Sequence, residues 1–277
     1  MTHSNKAMIT NLRGDSASPL GLAACPKQDA RCVRHAFKGG VNFFFFYGPG
    51  YGPFLKELAA LIRKNRQEAI LATGSGARTS RSLLAVRRKL LAALDVKLID
   101  VFFAEYVNES DDPDLIFGAG GVLDQLQQWK AQEWIRYVGA TTHDRALARQ
   151  LAQDSRVDVL MHRFNMAHRK AVKEVFPEAI ESKTPIVAFT ATRWGTLLEK
   201  RSDWPDHPPS APDCYRYCLA QPAVHLVLSA PRSIEELERN LELLQLPPMS
   251  ARERAKWERY GDLVRGEGSH AFETRWP

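Results

Sequence analysis

Four ionisable side chains in this sequence stand where short apolar runs end, and their chemistry suits proton transfer and charge stabilisation. Glu105 follows Phe102, Phe103 and Ala104, and apolar surroundings favour the neutral form of a carboxyl group. Tyr51 follows the run Val41–Phe46 after a short glycine-containing stretch, and His162 and Arg163 follow Met161. A Glu105 that faces solvent or forms a salt bridge, and an outward-pointing His162–Arg163 pair, are the alternatives that these positions leave open.

The four cysteines do not suggest a metal or redox site. Cys25, Cys32, Cys214 and Cys218 contain no CxxC pair, so neither a zinc ribbon nor a thioredoxin-like site is predicted. Cys214 and Cys218 are four residues apart, which places them on one face of a helix. We expect free thiols with structural roles and no bound metal.

Apolar β-type runs alternate with amphipathic helical segments along the chain. Eight runs are strand-like: Pro19–Ala24, Val41–Phe46, Ala69–Thr73, Leu98–Phe103, Ile135–Gly139, Val157–Met161, Ile186–Phe189 and Val224–Leu228. In the helical segments, apolar residues recur at spacings of three and four residues. These segments include Pro53–Asn65, Ser80–Leu94, Leu123–Gln132, Arg145–Gln153 and Ile234–Leu244. The runs are nearly continuous in apolar residues, as in parallel strands buried on both faces. The pattern predicts an α/β protein with a (β/α)8 TIM barrel.

An open, doubly wound sheet is the rival fold, but it would require a GxGxxG turn after an early strand, and none is present. The prediction is a single domain over residues 1–277. It comprises an N-terminal hairpin over 1–17 across the bottom of the barrel, the barrel over 18–244, and a C-terminal helix and tail over 245–277, with the helix at Ser250–Val264. Two long loops, Asn108–Ala119 and Thr190–Pro212, are candidate lids or plain connectors.

Composition excludes several classes of protein. The chain has 277 residues, 44% hydrophobic and 25% charged, with a mean hydropathy of −0.32, so disorder throughout is excluded. No apolar run approaches the roughly 20 residues that span a bilayer, and the N-terminus has no signal-peptide core, so we expect a cytoplasmic protein with no membrane partner. The net charge of +6 is spread along helix faces, which does not predict nucleic-acid binding.

Six segments, taken in order, resemble the aldo-keto reductase superfamily, which has this barrel and binds NADP(H) without a Rossmann domain. They are Gly39–Gly52, Leu90–Phe103, Ile135–Asp144, Val157–Asn165, Pro185–Leu198 and Pro222–Leu244. The first is similar to the second-strand signature of the family, and the last is similar to its eighth-strand cofactor segment. The resemblance extends from about residue 18 to the end of the chain.

The catalytic tetrad of that family, Asp, Tyr, Lys and His, is largely replaced here. The Asp position falls on Phe45, the Lys position on Gly74 and the His position on Glu105. The tyrosine corresponds to Tyr51 after a one-residue insertion, with Tyr47 as a second candidate. Arg78, just after the third strand, is a candidate substitute for the missing lysine. A few members of the family resemble this chain in carrying Glu at the His position and reduce enones, which implies a protonated Glu105.

The resemblance implies a better preserved cofactor site. Thr141, Thr142 and Met161 fall where Ser, Asn and Gln bind the nicotinamide carboxamide, and Phe189 falls where an aromatic ring stacks on the nicotinamide. Thr190 to Gly195, including Arg193, fall on the pyrophosphate loop. The positions of the 2′-phosphate and adenine contacts fall on Ser229, Arg232, Glu236 and Asn240. Arg232 has the charge and geometry of a phosphate clamp, which favours NADP(H).

Two functions of different class follow. One is a divergent NADP(H)-dependent oxidoreductase that reduces a small-molecule carbonyl or activated double bond, with Tyr51 or Glu105 as proton donor. The other is a catalytically degenerate nucleotide-binding sensor or partner protein on the same barrel. A third possibility is new chemistry in the same pocket, using Glu105, His162, Arg163 and Tyr51. The sequence does not indicate an oligomeric state.

Overall fold

The computed structural model describes residues 9–267, in which eight parallel strands form a closed barrel. The strands are β1 (Leu20–Ala23), β2 (Phe43–Phe46), β3 (Ile70–Ser75), β4 (Ile99–Ala104), β5 (Ile135–Thr142), β6 (Val159–Arg163), β7 (Ile186–Phe189) and β8 (Val224–Ser229). Each strand pairs with the next, and β8 pairs with β1. The predicted (β/α)8 barrel is confirmed.

Helices follow the strands and cover the outside of the barrel. They are α1 (Cys32–Lys38), α2 (Gly52–Asn65), α3 (Ser80–Leu94), α4 (Pro113–Phe117), α5 (Val122–Ala131), α6 (Arg145–Gln153), α7 (Ala171–Glu174), α8 (Phe176–Glu181), α9 (Ala211–Leu219), α10 (Ile234–Leu241) and α11 (Ala251–Arg265). Within residues 9–267, no helix has both the length and the apolar character needed to cross a membrane.

The strands are apolar on both faces because both faces are buried. In β2, Phe43 and Phe45 pack inside the barrel, while Phe44 and Phe46 pack against the helical layer, and all four are fully buried. Alternate residues of a strand point to opposite faces, so each continuous apolar run supplies two cores. One core is the barrel interior, and the other lies between the strands and the helices.

Three strands extend two or more residues further toward the C-terminal mouth of the barrel than the sequence predicts. β5 continues to Thr142, β6 to Arg163 and β3 to Ser75, and backbone pairing connects Thr142 with His162 and Arg163 with Phe189. The apolar runs end earlier because polar side chains begin there. Backbone hydrogen bonding does not depend on side-chain polarity, so the strands carry these polar residues into the mouth.

The two predicted long loops contain short regular structure. Asn108–Ala119 includes α4, which begins where the Asp112 carboxylate accepts a hydrogen bond from Asp114 N at 3.0 Å. Thr190–Pro212 includes a 3-10 turn at Thr196–Leu198, and α9 begins within its predicted range, at Ala211. Ser210 and Asp213 form a capping box at that helix start, and such pairs satisfy exposed backbone N–H groups.

The described part of the N-terminal segment crosses the end of the barrel opposite the mouth. Thr10 and Ser16 form an antiparallel bridge, and Ile9 is buried with the barrel interior. Of the hairpin predicted over 1–17, residues 1–8 lie outside the described residues, as does the tail beyond residue 267. The C-terminal helix predicted at Ser250–Val264 is α11, with Ser250 as its N-cap.

The cysteines behave as expected of structural thiols. All four are free, and Cys214 and Cys218 are fully buried on α9. The Cys218 thiol donates to the carbonyl oxygen of Phe164 at 3.2 Å. This hydrogen bond connects α9 to the chain that follows β6.

Candidate active site

Glu105 projects into the barrel mouth directly after β4. Val101 and Phe103 face the barrel interior, so residue 105 continues the same inward face. The space beside it is free because Gly74, on the neighbouring strand, has no side chain. A Cβ on Gly74 would lie 2.7 Å from Glu105 Cγ and 2.4 Å from the carbonyl oxygen of Phe103.

Burial of the Glu105 carboxyl group favours its neutral form. Burial raises its pKa from 4.5 to about 8, against the opposing charge of Arg78. Its Oε1 is buried and has no hydrogen-bond partner among the described residues. An ionised carboxylate without hydrogen bonds is costly in such surroundings, so the protonated acid prevails at neutral pH.

Arg78 holds the backbone around Glu105. Its guanidinium binds the Asp111 carboxylate at 2.8 and 2.9 Å, and it donates to the carbonyl oxygens of Glu105 and Tyr106 at 2.9 and 3.1 Å. Arg78 is thus a cation near the mouth, as a substitute for the missing lysine would be. Its hydrogen bonds, however, reach the backbone of Glu105 and Tyr106 and the carboxylate of Asp111, which makes it a positioning residue.

Of the two tyrosine candidates, Tyr47 is the one that lies at the barrel interior. Its ring packs edge-on against Phe45, with 4.6 Å between centroids, and it belongs to the interior core. Tyr51 instead packs against the helical layer, just before α2. Burial and then the nearby Glu105 raise the pKa of Tyr47; burial, Cys25 and Glu105 raise that of Tyr51. Neither phenol has the lowered pKa that an adjacent lysine would give.

The other replaced tetrad positions are closed to their former side chains. Phe45 is fully buried and packs edge-on against Phe103 at 5.8 Å. At Gly74, any side chain would meet the backbone of β4. The packing of β2, β3 and β4 therefore excludes the Asp–Lys pair at these two positions.

The nicotinamide positions lie together at the mouth, between β5 and β7. Thr141 Oγ1 accepts from Tyr106 N at 2.7 Å, and Thr142 Oγ1 accepts from Asp144 N at 3.0 Å. Met161 is fully buried beside Thr141, and Phe189 is 6% exposed. Thr190 Oγ1 is buried without a hydrogen-bond partner among the described residues. An aromatic face and an unsatisfied hydroxyl suit a flat polar ring such as nicotinamide.

The positions predicted for the adenosine end are largely engaged within the protein. Asn240 Nδ2 donates to Ser229 Oγ at 2.9 Å, and Tyr215 donates to the same oxygen at 3.0 Å. An adenine contact by Asn240 would therefore use its Oδ1 or the second N–H of its Nδ2. Arg232 is exposed at the start of α10, and its backbone N donates to Glu236 Oε2 at 2.8 Å. The Glu236 carboxylate thus occupies the helix start, beside the predicted phosphate contact.

The predicted pyrophosphate loop has an unusual backbone. Thr190, Arg193 and Trp194 have φ of 52°, 50° and 54°, a left-handed conformation uncommon for non-glycine residues. The Arg193 side chain is buried, and its Nη1 donates to the carbonyl oxygen of Val264 at 2.8 Å. Arg193 therefore anchors the loop to the end of α11, a contact that the sequence does not suggest.

His162 and Arg163 both line a cavity beside the barrel mouth, and the structure adds a residue that the sequence analysis missed. His162 faces away from the barrel interior, and its Nδ1 donates to the carbonyl oxygen of Thr142 at 2.9 Å. His143, which received no role, packs against Phe189 at 5.1 Å between centroids. Its spacing in the sequence could have indicated this position. His143 directly follows β5, and it continues the alternation of Gly139 and Thr141, which face the barrel interior.

The comparisons with known proteins support the fold only. Neither a protein-family model nor a curated protein matches the sequence. Among solved structures, an aldo-keto reductase from Bacillus halodurans in its holo form has a TM-score of 0.75 and 19% identity, covering 91% of this chain and 94% of that one. A glycerol dehydrogenase from Gluconobacter oxydans has a TM-score of 0.72 and 14% identity, covering 94% and 97%.

A third similar structure is an aldo/keto reductase from Klebsiella pneumoniae in complex with NADP and acetate. It has a TM-score of 0.72 and 15% identity, covering 92% of this chain and 95% of that one. All three alignments span nearly the whole barrel. The chain therefore has the fold of the aldo-keto reductases, as the six sequence segments predict.

Proposed function

We propose that this chain is an NADP(H)-dependent oxidoreductase that reduces a carbonyl or an activated double bond, with Glu105 as the proton donor. The observation that carries the proposal is the buried Oε1 of Glu105, which has no hydrogen-bond partner among the described residues, in a carboxyl group whose pKa is raised by burial. Unsatisfied buried polar atoms are rare in folded proteins. A substrate oxygen at the barrel mouth would satisfy this one.

The chemistry assigned to Glu105 is general acid catalysis. When bound, the cofactor supplies a hydride to the electrophilic carbon of the substrate. The Glu105 O–H hydrogen-bonds the substrate oxygen and transfers its proton as negative charge develops there. An acid with a pKa near the working pH is suited to this step. Arg78 fixes the backbone of Glu105, so the carboxyl group is held in place before the substrate arrives.

The residues that would hold the cofactor are those at the nicotinamide end. Phe189 would pack on the ring, and Thr190 Oγ1 and Thr141 Oγ1 would hydrogen-bond polar groups beside it. Met161 would leave one side of the carboxamide without the hydrogen bond that Gln supplies in the family. Arg232 would contact the 2′-phosphate, which favours NADP(H) over NAD(H).

The test uses three variants and a panel of aldehydes, ketones and enones with NADPH. Glu105→Ala removes the proton donor and the hydrogen bond, and we expect a loss of kcat of about 10²–10⁴-fold. Glu105→Gln keeps a hydrogen bond to the substrate oxygen and should fall between the wild type and Ala. Tyr51→Phe is the matched control and should remain active. A dead Tyr51→Phe with a fully active Glu105→Ala would assign the acid to Tyr51 instead.

A nucleotide-binding sensor is the second candidate, and the packing at Gly74 favours it. The steric closure of the lysine position means that the ordinary tetrad cannot be restored by one substitution. Calorimetric binding of NADPH without oxidation on any member of the panel would support the sensor and contradict the reductase.

A further inference from the structure

The positive charge of this protein is concentrated in one stretch of the chain. Residues 51–97, which include α2, β3 and α3, contain ten lysines and arginines and three aspartates and glutamates, a net charge of +7. The whole chain has a net charge of +6, so all other residues together carry a charge of −1. Such a charge asymmetry within one chain indicates an interaction with a nucleic acid or an anionic surface.

Six of these bases lie on the outward sides of two neighbouring helices. α2 packs against α3, and each helix presents one base and then two more, seven and eight residues later. All six positions are exposed: Lys56, Arg63 and Lys64 on α2, and Arg81, Arg88 and Lys89 on α3. Seven residues are about two helical turns, so the bases of each helix extend over about 10 Å. We name these six residues the α2–α3 basic face.

The acidic residues close to α2 are already paired with other bases. Glu57 binds Arg34 at 2.8 Å, and Glu68 binds Arg13 at 3.0 Å. Within residues 9–267, none of the six bases of the α2–α3 basic face forms a salt bridge. The positive charge of this face is therefore not compensated by the described residues.

The other charged residues of α3 do not change this balance. Arg87 lies over the ring of Trp134, at 4.0 Å from the centroid, and is not part of the face. α3 itself contains no acidic residue, and Asp95 is its C-cap, six residues beyond Lys89. One carboxylate at the edge of the face leaves most of the charge of six bases unbalanced.

The residues between the bases indicate what kind of anion fits. The remaining exposed positions of α2 and α3 are Gly52, Pro53, Ala60, Ser82, Ala92 and Ala93, and the exposed large apolar side chains of residues 9–267 lie elsewhere. Stable membrane binding by a basic surface requires an apolar or lipid anchor in addition. Protein interfaces require buried apolar or aromatic anchors. The face has neither kind of anchor.

A nucleic-acid backbone does not need such anchors, because release of its counterions favours the binding of bases. A duplex carries one negative charge for about every 1.7 Å of its axis, so about 10 Å of duplex carries about six charges, as many as the face has bases. Single strands bind by stacking their bases on aromatic side chains, and no aromatic residue is exposed on α2 or α3. The face therefore suits a duplex better than a single strand.

We propose that the α2–α3 basic face binds the phosphate backbone of a double-stranded nucleic acid without reading its sequence. The arginines donate paired hydrogen bonds to phosphate oxygens, and the lysines contribute point charges. The face lies on the helices that follow β2 and β3, whereas the positions assigned to the nicotinamide nucleotide lie at β5 to β8. The inference concerns binding alone and does not depend on reductase activity.

The test is the fluorescence anisotropy of a labelled DNA duplex of about 20 base pairs, titrated with the full chain at several salt concentrations. We expect a Kd of about 10⁻⁶–10⁻⁴ M at physiological salt, the range of sequence-independent binding. If all six bases contact phosphates, the logarithm of the association constant should decrease with the logarithm of salt concentration with a slope of about −5. Absence of binding at low salt would overturn the proposal.

The double variant Arg63→Gln/Arg88→Gln removes one base from each helix of the face. It should raise the Kd about tenfold and weaken the salt slope by about 2, because two phosphate contacts are lost. Glutamine and arginine have similar helix propensities, so both helices should be preserved, and circular dichroism checks this.

Arg252→Gln/Arg259→Gln is the matched control. It removes the same charge from two exposed positions that are likewise seven residues apart, on α11. The salt slope should remain that of the wild type. An equal effect of the two double variants would overturn the proposal, because binding would then follow from net charge alone.

Other polyanions distinguish the sources of the charge. A duplex RNA of the same sequence is compared with the DNA, and the duplex that binds more tightly is the ligand that the face prefers. Tighter binding of the corresponding single strand would overturn the duplex assignment. Tighter binding to vesicles of phosphatidylserine and phosphatidylcholine would overturn the proposal in favour of a membrane surface.

Discussion

Glu105 owes its properties to a short set of neighbours. Gly74 leaves space for its side chain, Phe103 and Phe45 make that space apolar, and Arg78 fixes its backbone. Arg78 directs its hydrogen bonds to Asp111 and to backbone carbonyls, so most of its charge is already compensated. Burial therefore outweighs the arginine in setting the pKa of Glu105.

The pH dependence of activity follows from this pKa. Glu105 donates a proton only while it is protonated, so kcat should be highest below pH 8 and should decrease as pH rises through about 8. The measurement is the pH profile of kcat for the wild type and Glu105→Gln. The decrease near pH 8 should be missing in Glu105→Gln. If the wild type and Glu105→Gln show the same decrease in kcat near pH 8, the decrease belongs to another ionisable group.

The pH dependence of stability has a definite sign. The ordinary pKa of Glu105 is 4.5, and the folded value is about 8. Between these values the unfolded chain loses the proton and the folded chain keeps it, so this group lowers the free energy of unfolding as pH rises. Above about pH 8 both states are ionised and the decrease ends. Glu105→Gln should raise Tm relative to the wild type more at pH 9 than at pH 4.5.

Glu109→Gln, at an exposed position four residues further on, is the control for that measurement. It should show no such pH-dependent difference in Tm. A difference in Tm between the wild type and Glu105→Gln that is the same at all pH values would contradict the raised pKa of Glu105.

Arg232 tests the choice of cofactor. We expect NADPH to bind more tightly than NADH, and Arg232→Ala to reduce the difference by about 1 kcal/mol, or roughly fivefold in Kd, because Arg232 is exposed. Titrations of both nucleotides against both proteins measure this. Arg239→Ala, at an exposed position on α10, is the control. Equal affinities of the wild type for NADPH and NADH would refute the preference.

The elements at the mouth are held together by close backbone contacts. β3 and β4 approach so closely at Gly74 that a methyl group would meet the carbonyl oxygen of Phe103. On the other side, α11 packs its Gly261 against Met166, and a Cβ there would lie 2.2 Å from Met166 O.

Gly74→Ala tests the β3–β4 contact. The added methyl group should lower the free energy of unfolding by about 1–3 kcal/mol, because neither backbone can move without breaking the sheet. Gly76→Ala is the control, since no atom lies within 4 Å of a Cβ at that position. It should stay within about 0.5 kcal/mol of the wild type. Urea denaturation measures both, and equal stability of the two variants would contradict the steric argument.

The closed barrel makes the whole chain one cooperative structure. Interior side chains from both halves of the strand order share one core, and β8 closes on β1. The N-terminal segment joins the same core through Ile9. Neither half can therefore be removed without exposing the apolar interior of the other.

Two probes of unfolding test this cooperativity. All six tryptophans lie from Trp129 onward, so their fluorescence reports the second half of the chain, whereas far-UV circular dichroism reports all helices and strands. We expect the two transitions to have the same midpoint in urea. Separate midpoints would show that the β1–β4 half unfolds independently of the rest.

The sequence alone determined the barrel, because each strand carries its own apolar pattern and each helix its own period. It also marked Glu105, since an acid after an apolar strand is a local signal. The sequence did not predict that β5 ends at Thr142 and β6 at Arg163, because backbone pairing extends past the point where side chains become polar.

Which polar groups contact one another could be learned only from the tertiary structure. Nothing local shows that Asn240 donates to Ser229 or that Arg193 reaches the end of α11. His143, His168 and Arg265 line one cavity although they come from three separate segments. Such contacts depend on how helices and loops pack around the barrel, and that packing sums over the whole chain, so no single segment encodes it.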